Sequence, residues 1–132
     1  GEVVGRHSGV AFYTIGQKRG LDVGLSGVCI VGIDAAQNRL IVGPNQNLYH
    51  KTLEITGCNI VDKEEFTTSD DVSVVIRGIG RNPEGFMRRA EEIDGGYRIY
   101  LDDPAWASAI GQPVVFYRQN RVIGGGILSR YY

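Results

Sequence analysis

Apolar positions along the chain fall in short, β-branched runs separated by Gly, Asn, Asp and Pro, which is the rhythm of strands and tight turns rather than of long helices. The runs "GVCIVGID" and "RLIVGP" flank "AAQN", a hairpin signal that pairs strand 28–34 with strand 39–43 and puts Asn38 at positive φ. Farther on, "KTLEITGCNIV" reads as a long strand with a bulge at Gly57. The runs "VSVVIRGIG" and "GFMRRAEEI" follow as strands, and "DGG" at 94–96 turns the second into "YRIYLDD". The segments "QPVVFYR", "QNR" and "VIGGGILSR" form a closing hairpin. Three stretches break this rhythm. After a short opening strand in "GEVVGRH", Ser8 is a good N-cap, and Val10, Phe12, Tyr13 and Ile15 share a face, which predicts a two-turn helix stopped by Gly16. "DKEEFTTSDD" reads as a solvated acidic connector, and "PAWASAI" as one helical turn begun by Pro104. At least six short strands with a turn every ten residues or so predict a small barrel or sandwich, with a module boundary in the polar stretch Asn45 to His50.

Composition narrows the class. At 132 residues and 42% hydrophobic content the chain can bury a core as one domain or two small ones. Nineteen glycines against four prolines, spread along the chain, fit many tight turns. No apolar run approaches the roughly 18 residues of a membrane span, and the opening residues lack a signal-peptide shape, so a soluble intracellular protein is expected. A net charge of -1 excludes a strongly basic nucleic-acid binder, so any polyanion site must be local. Cys29 and Cys58 stand alone, without a CxxC or nearby histidines, and read as reduced structural residues.

Candidate chemistry is sparse. His7 and His50 lack a partnering Ser or Cys and read as capping or surface residues. Asp102 and Asp103 precede Pro104 as N-cap residues more readily than as an acid pair. The GxG of "RGIGRNPEG" lacks the helix of a nucleotide fingerprint, and "GGG" at 124–126 marks a bend or a close strand crossing. Positive charge remains. Arg6, Lys18 and Arg19 in the first module, with Arg77, Arg81, Arg88 and Arg89 on neighbouring strands of the second, suit a phosphate backbone; ordinary solvated charge is the competing reading.

Three stretches, "HSGVAFYTIGQKRGLDVG", "DPAWASAIGQPVVFY" and "VIGGGIL", resemble the C-terminal part of the tRNA-specific 2-thiouridylases, once labelled methyltransferases. The family pattern is G-x-H-x-G, an aromatic and T-x-G-Q-R-K-G-L-G, then P-G-Q-x-x-V-F-Y followed by L-G-G-G-I. Gly5, His7, Gly9, Tyr13, Thr14, Gly16, Gln17, Gly20 and Leu21 match the first part. Lys18-Arg19 reverses the usual order, Asp22 replaces a Gly, and Ile110 stands in place of a Pro. Gly111, Gln112, Val115, Phe116, Tyr117 and Gly124 to Ile127 match the rest.

The resemblance implies a mainly β fragment: a partial central α+β module in 1–48, then a six-stranded β-barrel in 49–132 similar to the second domain of elongation factor Tu. It implies a cytoplasmic parent enzyme, with no membrane association, that uses ATP and Mg to adenylate O2 of the wobble uridine 34 of tRNA. Sulfur from the persulfide of a donor protein then replaces that oxygen. The ATP loop, Ser-Gly-Gly-x-Asp-Ser, and the sulfur-carrying cysteines of the family have no counterpart here, so no catalytic or metal site is expected in these residues and the chain alone should be inactive. The implied tRNA contacts are Gln17, Lys18 and Arg19 in the first module and Arg77, Gly78 and Gln112 in the barrel, where Gly78 takes the place of a family Tyr. The rival is a translation-factor-like barrel that serves as a protein interaction module without RNA.

Overall fold

The structure, a computed structural model, describes residues 1–21, 23–78 and 80–132; the replacement at Asp22 and the Ile79 end of "VSVVIRGIG" lie outside the described residues. The chain divides into two compact units, Gly1–Leu48 and Tyr49–Tyr132.

In the first unit β1 (Val28–Asp34) pairs antiparallel with β2 (Arg39–Pro44), with Asn38 at φ 52° in the turn, as the hairpin signal predicts. Cys29, Ile30 and Leu48 are buried. The expected helix from Ser8 is replaced by a single 3-10 turn over Val10–Phe12. Gly9 occupies the cap position at φ 143° with no side-chain cap bond, and Tyr13 is already extended. The chain straightens there because Gly16 and Gln17 pair with β1: Gly16 N–H donates to Ile30 C=O (2.8 Å) and Ile30 N–H to Gln17 C=O (3.0 Å). Backbone pairing with a strand outweighs a two-turn helix that has no tertiary face to bury; Phe12 is left largely exposed. The opening strand is likewise reduced to one bridge, Gly5 to Val23.

The second unit is a curled antiparallel sheet of six strands, so the chain is mainly β. Its strands are β3 (Tyr49–Ile60), β4 (Ser73–Ile76), β5 (Met87–Ile93), β6 (Gly96–Trp106), β7 (Pro113–Arg118) and β8 (Arg121–Tyr131), in the spatial order β4-β7-β8-β3-β6-β5. The two outer strands approach where Met87 N–H donates to Val72 C=O at 2.7 Å. Alternate residues point inward, and Leu53, Ile55, Val74, Ile99, Val114, Phe116, Ile123 and Leu128 form the core. The predicted bulge at Gly57 is present, with φ 59° and a register shift between Thr56 and Asn59. The triple glycine lies at a close crossing: a Cβ at Gly125 would stand 2.8 Å from Val114 C=O and one at Gly126 2.9 Å from Thr56 C=O.

Two expectations for this unit are corrected. "PAWASAI" is not a helical turn; β6 runs through Pro104 to Trp106. Leu101 to Pro104 stand opposite the single β3 residue Lys51, so Pro104 sits in a wide bulge where the ladder needs no N–H from it. Asp102 and Asp103 therefore cap no helix. The acidic connector holds α1 (Lys63–Thr68), N-capped by Asp62 through Glu65 N–H at 3.1 Å. Its Phe66 is fully buried edge-on against Tyr97 and Phe116, with ring centroids 5.1 and 4.7 Å away, so this segment closes over the core instead of floating in solvent.

Candidate nucleic-acid interface

The second-unit candidates converge at one end of the sheet. Arg77 follows β4, and its N–H donates to Pro113 C=O at 2.8 Å, which continues the β4–β7 pairing by one residue. That bond sets Gly78 beside Gln112. A Cβ at residue 78 would stand 2.9 Å from Gln112 Nε2, and Gly78 adopts φ 117°. A Tyr in this backbone conformation would be strained, so the glycine that takes the place of the family's Tyr suits the φ found here. Gln112 braces the turn before β7: its Oε1 accepts Ala109 N–H at 2.7 Å, and its own N–H donates to Ala109 C=O. Arg77 is exposed and has no carboxylate within ion-pair distance among the described residues.

Other cations differ in their availability. Arg81 lies in the connection after β4, where it pairs with Asp103 at 3.8 Å and stands over the Tyr49 ring. Arg89, on β5, contacts Glu91 at 3.6 Å and stacks on Tyr100, 4.0 Å from its centroid. Its neighbour Arg88 is exposed and unpaired among the described residues. Across the outer face of β6, β3 and β8, Arg98 bonds Glu54, which also accepts Tyr132 Oη–H at 2.9 Å. The Tyr132 hydroxyl, then Arg98, holds the Glu54 carboxyl below its usual range. Glu54 is thus engaged by Arg98 and Tyr132, while Arg130 stands over the Tyr132 ring. Of the four arginines that the sequence singles out in this unit, Arg77 and Arg88 are therefore the two without a carboxylate partner among the described residues.

In the first unit the sequence "GQKRG" forms a compact loop. Gly16 and Gly20 both have positive φ, and Gln17 ties the loop together: its Oε1 accepts Thr14 N–H at 3.1 Å and its Nε2 donates to Arg19 C=O at 2.8 Å. Lys18 and Arg19 project as exposed residues from a loop fastened to Ile30 of β1. Arg6 is also exposed. His7 is an internal brace, as a capping reading expects, with Gly9 N–H donating to Nδ1 and Nε2–H donating to Asn38 C=O, both at 3.0 Å. Burial holds the His50 imidazole below its usual pKa, and its ring packs on Tyr131. Cys29 and Cys58 are free thiols; Cys29 is buried, and burial pushes the partly buried Cys58 thiol up.

Sequence reasoning missed the residues that shape the connection between β4 and β5. Asn82 Oδ1 accepts Ile76 N–H at 2.7 Å. Arg81 and Trp106 exchange both backbone hydrogen bonds, at 2.9 and 3.0 Å, and Asp103 Oδ2 accepts Glu84 N–H at 2.6 Å. The Asn-Pro pair at 82–83 signals a turn. Its partners are invisible in the sequence because they lie on other strands.

Comparison with known proteins agrees with this division of the chain. A family model described as the tRNA methyl transferase PRC-barrel domain matches residues 1–44, and one described as the aminomethyltransferase beta-barrel domain matches residues 51–128. Among curated proteins, the chain is 36% identical over 131 residues to the tRNA-specific 2-thiouridylase MnmA of Natranaerobius thermophilus. It is 33% identical over 129 residues to the protein of that name in Syntrophomonas wolfei, and 34% over 130 residues to that in Halothermothrix orenii. These alignments include 97 to 98% of the chain but only 35 to 38% of the relatives, so the chain spans about a third of their length.

Proposed function

The chain belongs to the tRNA-specific 2-thiouridylase family, and from that membership we propose that it is the tRNA-gripping part of an enzyme that 2-thiolates the wobble uridine 34. In this reading residues 1–48 are a central module that presents Gln17, Lys18 and Arg19, and residues 49–132 are a barrel that grips the RNA backbone through Arg77. ATP with Mg, the adenylated uridine and the persulfide delivered by a donor protein belong to the rest of the enzyme, in the cytoplasm. No helix among the described residues is long and apolar enough to cross a membrane.

The observation that carries the reading is the meeting of Arg77, Gly78 and Gln112 at one end of the barrel. An exposed guanidinium without a carboxylate partner presents charge and forked donors to a phosphate. Gln112 holds the neighbouring turn, so its contribution is shape and hydrogen bonding without charge. The two residues should therefore fail differently. In a titration of unmodified tRNA against the chain over a salt series, Arg77→Ala should weaken binding and make the slope of log affinity against log salt shallower by about one. Gln112→Ala should weaken binding by about 1 kcal/mol with the slope unchanged. Folded variants that bind like the wild type at every salt concentration would overturn the RNA reading in favour of a barrel that docks a protein.

A further inference from the structure

The Asn82 side chain reaches Ile76, the last residue of β4, the strand that leads into Arg77. β4 is an outer strand of the sheet, paired on one side only, with β7. In an antiparallel pair successive N–H groups point to opposite sides of the strand. Arg77 N–H points toward β7 and donates to Pro113 C=O, so Ile76 N–H points away from the sheet, where no strand can accept it. Asn82 Oδ1 takes that bond at 2.7 Å, from six residues along the chain. The peptide leading into Arg77 is thus clamped from both sides, by Asn82 at one residue and Pro113 at the next.

The far part of the connection is fastened independently of this clamp. Arg81, the residue before Asn82, exchanges both backbone bonds with Trp106, and Glu84 N–H bonds Asp103. Both anchors lie on β6, which is separated from β4 by three strands in the sheet order. Asn82 therefore approaches β4 from a connection already held to another part of the barrel, so it can act as a fixed strut. Arg77, by contrast, has no side-chain partner of its own among the described residues to hold it. A long, unpaired side chain is aimed by its backbone, and loss of the clamp spreads its direction over more rotamers and backbone states.

We propose that Asn82 is a positioning residue for RNA binding, acting through Arg77 by clamping the edge N–H of Ile76; this rests on the RNA reading of the barrel. Asn82 itself touches no RNA in this account, and its amide oxygen is spent inside the protein. Asn82→Ala keeps Arg77 and every charge, yet should lower tRNA affinity about threefold and make the salt slope shallower, toward the value of Arg77→Ala. In an Arg77→Ala background the same change should have no further effect, because the residue it positions is gone.

Hydrogen exchange of the free chain reads the clamp without RNA. The Ile76 amide should exchange about tenfold faster or more in Asn82→Ala while Val74 keeps its protection, and Asn82→Asp, which retains an acceptor oxygen, should restore the Ile76 protection. Unchanged Ile76 exchange in Asn82→Ala overturns the proposal, as does an Asn82→Ala effect on tRNA that persists undiminished without Arg77. An inert Arg77→Ala beside a fast-exchanging Ile76 overturns instead the RNA reading on which the proposal rests.

Discussion

Arg77 and Arg81 are four residues apart and chemically identical, yet only the first is offered to solvent without a carboxylate. The difference lies in their neighbours: Arg81 faces Asp103 and the Tyr49 ring, whereas nothing acidic among the described residues faces Arg77. Arg81→Ala keeps the backbone bonds to Trp106 that hold the connection after β4, so it should not give the one-unit change of salt slope expected for Arg77→Ala, and the tRNA titration separates the two. Gly78 poses the complementary case. Its φ of 117° and the 2.9 Å approach to Gln112 exclude a side chain by conformation first and by space second, since the Gln tip can move aside. Gly78→Ala should cost about 1 to 3 kcal/mol in urea unfolding of the chain, and Gly78→Tyr should cost at least as much without adding a stacking contact. A Tyr variant that folds at wild-type stability and binds tRNA more tightly would show that the backbone there accepts the family residue.

α1 shows how an element can be held by a few contacts. Six residues make a poor helix alone, but Phe66 drives a ring into the core between Tyr97 and Phe116. Phe66→Ala should destabilise the chain by about 3 to 5 kcal/mol, measured by urea unfolding. On its outer side the helix is tied to the β7–β8 hairpin. Glu65 accepts from Arg121 at 2.7 Å and from Arg118 at 3.0 Å, while Arg118 also reaches Asp71 at 2.6 Å. The bonds from Arg121 and then Arg118 hold the Glu65 carboxyl down to about 2, from an ordinary 4.5. Because the folded value is the lower one, this contribution is complete above pH 4.5 and disappears as the pH falls from there through about 2. Stability measured across that range should fall less steeply for Glu65→Gln than for the wild type. Parallel curves would show that the clip adds nothing to acid sensitivity.

In the proposed reading the chain holds tRNA and leaves the sulfur chemistry to the rest of the enzyme. Its two free cysteines are the buried Cys29 and the partly buried Cys58, and burial raises the Cys58 thiol pKa, which is the opposite of what a sulfur-carrying nucleophile needs. Incubated with ATP, Mg, a persulfide donor and unmodified tRNA, the chain alone should give no 2-thiouridine by mass spectrometry. Detectable product would overturn the assignment of the sulfur chemistry to the rest of the enzyme.

Turn chemistry acts over a few residues, and for that reason the sequence by itself determined the hairpins: Asn38, Gly95 and the Gln119-Asn120 pair all have the positive φ their turns require. Strand periodicity and the Gly57 bulge were legible on the same local grounds, and the resemblance of the quoted motifs pointed to the family. Tertiary structure decided the rest, wherever a segment's best partner lay far along the chain. Ser8 to Ile15 has the pattern of a helix, but Ile30 offers Gly16 and Gln17 a strand to pair with. Pro104 has the pattern of a helix start, but a bulge opposite Lys51 lets β6 continue through it. Charge counting finds Arg77, Arg81, Arg88 and Arg89 alike, yet Asp103 and Glu91 occupy the second and fourth. The site depends on the same long-range terms: Arg77 and Gln112 meet only because β4 pairs with β7, a register set by burial of Val74, Ile76, Val114 and Phe116 on one face.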